Sequence, residues 1–136
     1  MIHSFHMKKI SLTLSILLIL AACQESLEKR TEREAQEFTR RHCPTPVQNN
    51  QRTDSLTFDQ STKTMTYWYT LCGTADDADA VGRQEEELRE TLRQGVRNYG
   101  YLSQQKKAGF NIRYVYHSQR RPEQVLLDVT FTKDDY

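Results

Sequence analysis

Catalytic signatures are missing from this chain of 136 residues. It has no Gly-rich phosphate loop, no G-x-S-x-G elbow and no H-E-x-x-H pair. Of its four histidines, only His42 and His117 lie beyond the first 22 residues, and neither stands in a nucleophile motif. A dominant charge is lacking as well, since 19 Lys and Arg oppose 18 Asp and Glu. That balance argues against nucleic acid, which selects a concentrated basic surface. No C-x-x-C pair occurs, so metal or redox chemistry at the three cysteines lacks its usual spacing. Long apolar runs are also absent. The longest, residues 10–20, has eleven residues and spans roughly 16 Å, about half of a ~30 Å hydrocarbon core, too short for a stable membrane span.

What is present starts with that run. Lys8 and Lys9 precede it and Leu20-Ala21-Ala22-Cys23 closes it, the order of a secretory signal. The closing residues resemble the lipobox of bacterial lipoproteins, in which the cysteine thiol is acylated with diacylglycerol and the peptide is cut just before it. A thiolate is the nucleophile such a thioether needs, and the small alanines let the peptidase approach. The resemblance implies that residues 1–22 are removed and that Cys23 is lipidated, holding the chain to a membrane of the bacterial cell envelope by its acyl chains. Gln24, rather than Asp, follows the cysteine; by Gram-negative sorting habit this favours the outer membrane, on either face. Loss of Lys8 and Lys9 leaves 17 basic against 18 acidic residues.

In an oxidising compartment Cys43 and Cys72 form an even pair. A disulfide between them would close a loop of about 30 residues, worth roughly 3–4 kcal/mol in the chain-entropy model. The alternatives are two free thiols, or chemistry assisted by His42.

Beyond the tether, residues 24–41 read as a helix with a thin stripe of Leu27, Thr31, Ala35 and Phe38, closed by Pro44. Leu56 and Phe58 alternate in a strand, residues 59–63 form a turn, and Met65, Tyr67, Tyr69 and Leu71 share one face of a second strand. Residues 73–82 read as an acidic loop. Val81, Leu88, Leu92, Val96 and Tyr99 then mark a helical stripe, with a further piece to Lys107 and Gly109 as its stop. Ile112, Tyr114 and Tyr116, then Val125, Leu127, Val129 and Phe131, give two more strands. The expected fold is α+β in the order α-β-β-α-β-β, a four-stranded antiparallel sheet with the helices on one face, in a single domain over residues 43–136.

Cys43-Pro44, Arg52-Thr53-Asp54-Ser55-Leu56, Tyr67-Trp68-Tyr69-Thr70-Leu71, Tyr114-Val115-Tyr116 and Val129-Thr130-Phe131 occur in that order. The series resembles a group of small exported bacterial proteins of unassigned activity that carry CP, T-x-LDS, Y-x-Y-x-L, Y-x-Y and V-T motifs. Here Thr53-Asp54-Ser55 replaces LDS, and residues 118–122 replace a D-x-x-G turn. The resemblance implies no catalytic residue and no cofactor.

Two clusters remain. Asp76, Asp77 and Asp79 suggest calcium, but counting an EF-hand from Asp77 puts Val81 and Leu88 where oxygen ligands belong, so a solvated loop is expected and no metal site. If Met65, Tyr67 and Tyr69 point inward, Trp68 points outward with Arg113 and His117, a candidate binding surface for an envelope protein or a glycan. The plainer alternative is that a helix or the C-terminal tail covers Trp68. The expected function is therefore a non-enzymatic, lipid-anchored binding or envelope-accessory module; an envelope inhibitor or immunity protein is the alternative, and a small enzyme is less favoured.

Overall fold

The computed structural model describes residues 25–136, so Cys23 and the stretch before it lie outside the described residues. Helix α1 (Leu27–His42) is capped by Ser26, whose hydroxyl accepts the Lys29 N–H at 3.2 Å, and it ends where Pro44 holds Cys43 in an extended conformation. Thr31 and Ala35 are buried, as the stripe requires. Phe38 is not: it is 39% exposed and rests on His42, 5.1 Å between ring centroids.

Strands β1 (Gln51–Asp59) and β2 (Thr64–Leu71) form a hairpin. Asp59 organises its turn by accepting the Ser61 N–H at 2.8 Å, and Lys63 takes φ +53° there. A 3₁₀ turn (Gly73–Ala75), α2 (Ala78–Arg83), α3 (Glu85–Asn98), a second 3₁₀ turn (Gly100–Leu102) and α4 (Ser103–Lys107) follow. Gly109, at φ +75°, then redirects the chain into β3 (Asn111–Ser118), and β4 (Val125–Phe131) completes the sheet in the order β1-β2-β3-β4. The protein is thus an α+β fold in the expected element order, with four strands and the helices on one side. The stretch read as an acidic loop is partly helical, with Asp77 capping α2 through the Asp79 and Ala80 N–H groups at 3.0 Å each.

The sheet is not antiparallel throughout. β2 and β3 are parallel, Met65 opposite Ile112 and Tyr69 opposite Tyr116, while the two outer pairs are antiparallel. The helical crossover returns the chain to the end where β2 began, so β3 runs the same way; a parallel pair needs a crossover of this kind.

On the helix side, Phe58, Met65, Ile112 and Phe131 form one rank across all four strands, and none is more than 6% exposed. Ala35, Val96, Leu102 and Phe110 close over this rank and make the core. The outer edge of β1 is occupied by threonine side chains and by short backbone contacts from residues 45–48. Thr39 accepts the Leu56 N–H at 2.8 Å and donates to the Leu56 carbonyl at 2.9 Å. Thr45 likewise engages Thr53, accepting its N–H through the hydroxyl at 2.9 Å and donating its own N–H to the Thr53 carbonyl at 3.0 Å.

The expected Cys43–Cys72 disulfide is not formed, and both residues are free thiols. The ladder explains why. Cys43 precedes the segment in which Thr45 pairs with Thr53, itself opposite Tyr69, whereas Cys72 lies past Leu71 and donates to the Asn50 carbonyl. The two cysteines sit at levels at least three strand residues apart, about 10 Å, beyond the ~7 Å Cα limit of a bridge.

Asp76 also departs from the picture of a solvated loop, being only 3% exposed. It receives the Arg120 N–H at 2.9 Å, and Arg120 Nη2 donates to its carbonyl. Hydrogen bonds from Ser118 and from the Arg120 backbone, with the Arg120 charge behind them, hold its carboxyl below the ordinary value of 3.8. A depressed carboxyl stabilises the fold above its unfolded pKa, and that stabilisation is lost as pH falls through the folded value. Asp76→Asn is therefore expected to lower the melting temperature at neutral pH, with the gap from the parent shrinking below about pH 4. Melting curves followed by circular dichroism at pH 7 and pH 3 check this; an equal gap at both would refute it.

Candidate functional site

The two faces of the sheet differ in what covers them. On the face away from the helices, Thr57, Thr66, Arg113 and Thr130 stand in register as one cross-strand rank. The next rank holds Ser55, Trp68, Val115 and Asp128. Val115 is 1% exposed although, among the described residues, no helix packs on this side, so its neighbours cover it, and Trp68 directly opposite is the largest of them. The indole N–H donates to Thr57 Oγ1 at 2.9 Å, which draws the ring toward β1. The Arg113 guanidinium lies 5.7 Å from the indole centroid, and the His117 ring stacks at 6.1 Å.

Each partner is held in turn. Arg113 donates to both Asp128 oxygens, at 2.9 and 2.7 Å, and these bonds lower the Asp128 carboxyl pKa while raising that of the guanidinium. His117 Nδ1 lies 3.0 Å from the Pro122 carbonyl, which can only accept, so Nδ1 carries the proton. The structure thus brings Trp68, Arg113 and His117 together on a face that, among the described residues, neither a helix nor the C-terminal tail covers. Asp54 is the extra residue of a β-bulge between Thr53 and Ser55; its carboxylate accepts from Arg52 at 2.8 Å and from Thr70, clamping the two strands together.

The helix-side face carries a feature that sequence reasoning missed. Away from the Phe58–Phe131 rank, successive ranks place Tyr67 beside Tyr114 and Tyr69 beside Tyr116, and these rings stack at 5.1 and 4.8 Å. Here α2 and α3 do not close on the sheet. They leave an open groove of about 560 Å³, floored by the four tyrosines, walled by Leu88 and Leu92, and flanked by Tyr99 and Tyr101. Burial raises all four floor phenols, Tyr116 to about 12 and the other three further, so the hydroxyls stay neutral and can donate. Tyr114 is 4% exposed, yet among the described residues its hydroxyl has no hydrogen-bond partner and is not sealed from the groove. The signal for this groove was visible: tyrosine, rather than valine or isoleucine, at alternate positions of both central strands brings hydroxyls that a dry core would have to satisfy.

Among the described residues no group of three His, Cys, Asp or Glu side chains could hold a metal ion, and no helix is long and apolar enough to cross a membrane.

Comparison with known proteins points to a fold and a family. Residues 26–127 match the family described as a domain of unknown function (DUF8479). The fold is similar to the crystal structure of a predicted secreted protein from Pseudomonas aeruginosa, with a TM-score of 0.68 and 14% identity over 82% of this chain and 98% of that one. It is also similar to the pilotin EpsS of the Vibrio vulnificus type 2 secretion system, with a TM-score of 0.59 and 15% identity over 80% of this chain and 90% of that one. A search of curated proteins returns no match.

Proposed function

We propose that this chain, which belongs to the DUF8479 family, is an exported envelope-accessory module that docks an apolar segment of a partner protein in its tyrosine-floored groove. The groove carries the reading. An apolar trough of about 560 Å³, with neutral phenol donors on its floor and no charged side chain in its lining among the described residues, suits a segment that offers aliphatic side chains and a few acceptor oxygens. It works by binding, without chemistry of its own. The lipobox supports anchorage through Cys23, with the outer membrane favoured, and the likeness to a predicted secreted protein and a pilotin supports an accessory place in the envelope.

The test uses the native lipoprotein in membranes, with a photocrosslinking residue at Tyr101, a 67% exposed position on the groove rim. One discrete product is expected, reduced at least about tenfold by Leu88→Glu, because an uncompensated carboxylate in an apolar docking site costs more than 1.4 kcal/mol. Circular dichroism would confirm that the variant folds. A product undiminished by Leu88→Glu would sink the reading. In the same preparations Cys23→Ala should release the protein from the membrane fraction, and continued retention would refute the anchor.

A further inference from the structure

We infer that the exposed sheet face around Trp68 is a second binding site, built for a neutral carbohydrate. The depression there measures about 540 Å³, within the roughly 300–1,000 Å³ common for small ligands. Its lining is mixed in a particular way: one flat aromatic ring, the hydroxyls of Thr57, Thr66 and Thr130, and the paired planar groups of Arg113 and Asp128.

Charge decides against other ligands. Arg113 is neutralised by Asp128 in a two-pronged pair, and the Asp59 carboxylate accepts from the Ser61 and Thr62 N–H groups of its own turn. Among the described residues no free cation remains in the lining to hold a phosphate or sulfate. A docked protein would call for a broader apolar centre than a single indole ringed by hydroxyls and charges. A pyranose ring offers what the site lacks. Its C–H face can lie on the indole, and its hydroxyls both donate and accept, matching threonine hydroxyls and a carboxylate–guanidinium pair.

Thr66 supplies an independent observation. It is 5% exposed and lines the depression, yet among the described residues its hydroxyl has no hydrogen-bond partner and is not sealed from the surface. Thr66 therefore presents an accessible hydroxyl to the depression, able both to donate to and to accept from a ligand hydroxyl. The site is also prearranged, because Trp68 is held by Thr57 and Arg113 by Asp128 before any ligand arrives.

Trp68 is the only tryptophan, so emission reports on this face alone. Full-length lipoprotein in a detergent without sugar headgroups would be titrated with β-1,4-linked tetrasaccharides of glucose and of N-acetylglucosamine. A saturable change is expected with at least one, with a Kd of about 0.1–1 mM. Thr66→Val and Asp128→Asn, each changing few atoms, should weaken binding at least about fivefold with unchanged circular dichroism. Leu88→Glu should leave it intact, which separates this site from the groove. Cosedimentation with purified cell-wall sacculi then distinguishes sources: retention lost in Thr66→Val identifies wall glycan, while binding of free oligosaccharide alone identifies a soluble one. No emission change with either sugar, or Thr66→Val binding as the parent does, overturns the proposal.

Discussion

Phe110→Ala is expected to lower the unfolding free energy by about 3–5 kcal/mol, the range for deleting a fully buried phenyl ring. Phe110 is 0% exposed and packs on Phe58 with 5.0 Å between ring centroids. It sits where the crossover returns to the sheet: its N–H donates to the Gln105 carbonyl at 3.0 Å, and its carbonyl accepts the Tyr136 hydroxyl at 2.6 Å. Neighbours anchored on both sides by backbone bonds have little freedom to collapse into the cavity, which places the cost toward the upper end. Against a typical total of about 5–15 kcal/mol, the loss should leave a sizeable unfolded fraction at 37 °C. Urea unfolding followed by circular dichroism measures it, and a loss below about 1.5 kcal/mol would show that the ring is not a keystone of the core.

Thr39→Val is the second large expectation, from a change of only one polar atom. The hydroxyl serves both the N–H and the carbonyl of Leu56, so an isosteric methyl leaves two partly buried backbone groups unpaired. The expected cost is about 1–3 kcal/mol. The change also strips a section of the β1 edge, which should raise the tendency to self-associate. Thr39→Ser restores the bonds and should recover most of the stability. A valine variant as stable as the parent, with an unchanged sedimentation profile, would show that water satisfies Leu56 equally well.

Element order and strand faces were legible because they rest on local periodicity. The alternation from Met65 to Leu71 put tyrosines and tryptophan on opposite sides of β2, and it predicts the company that Trp68 keeps with Arg113 and His117. Strand direction was not legible. Two hairpins and an intervening helix suit either sense of the central pair, and only the path of the crossover decides. The cysteines misled for a similar reason, since even pairing and an exported setting say nothing about their levels on the ladder. Asp76 looked like part of a solvated acidic run because its partner, Arg120, is 44 residues away. The groove escaped notice because inward-facing tyrosines read as core, and whether helices close over them depends on three-dimensional path rather than spacing.

The parallel pairing of β2 with β3 carries a kinetic consequence. The β1–β2 hairpin closes across a turn of about four residues, whereas the central seam must wait for a crossover of about 40. By the logarithmic loop-closure law the seam costs about 2 kcal/mol more to initiate. Two hairpins can thus form quickly and locally, each still bearing an unpaired central strand. The late step is the meeting of Thr64–Leu71 with Asn111–Ser118, and until then the unpaired edges of both central strands are open to pairing with other copies.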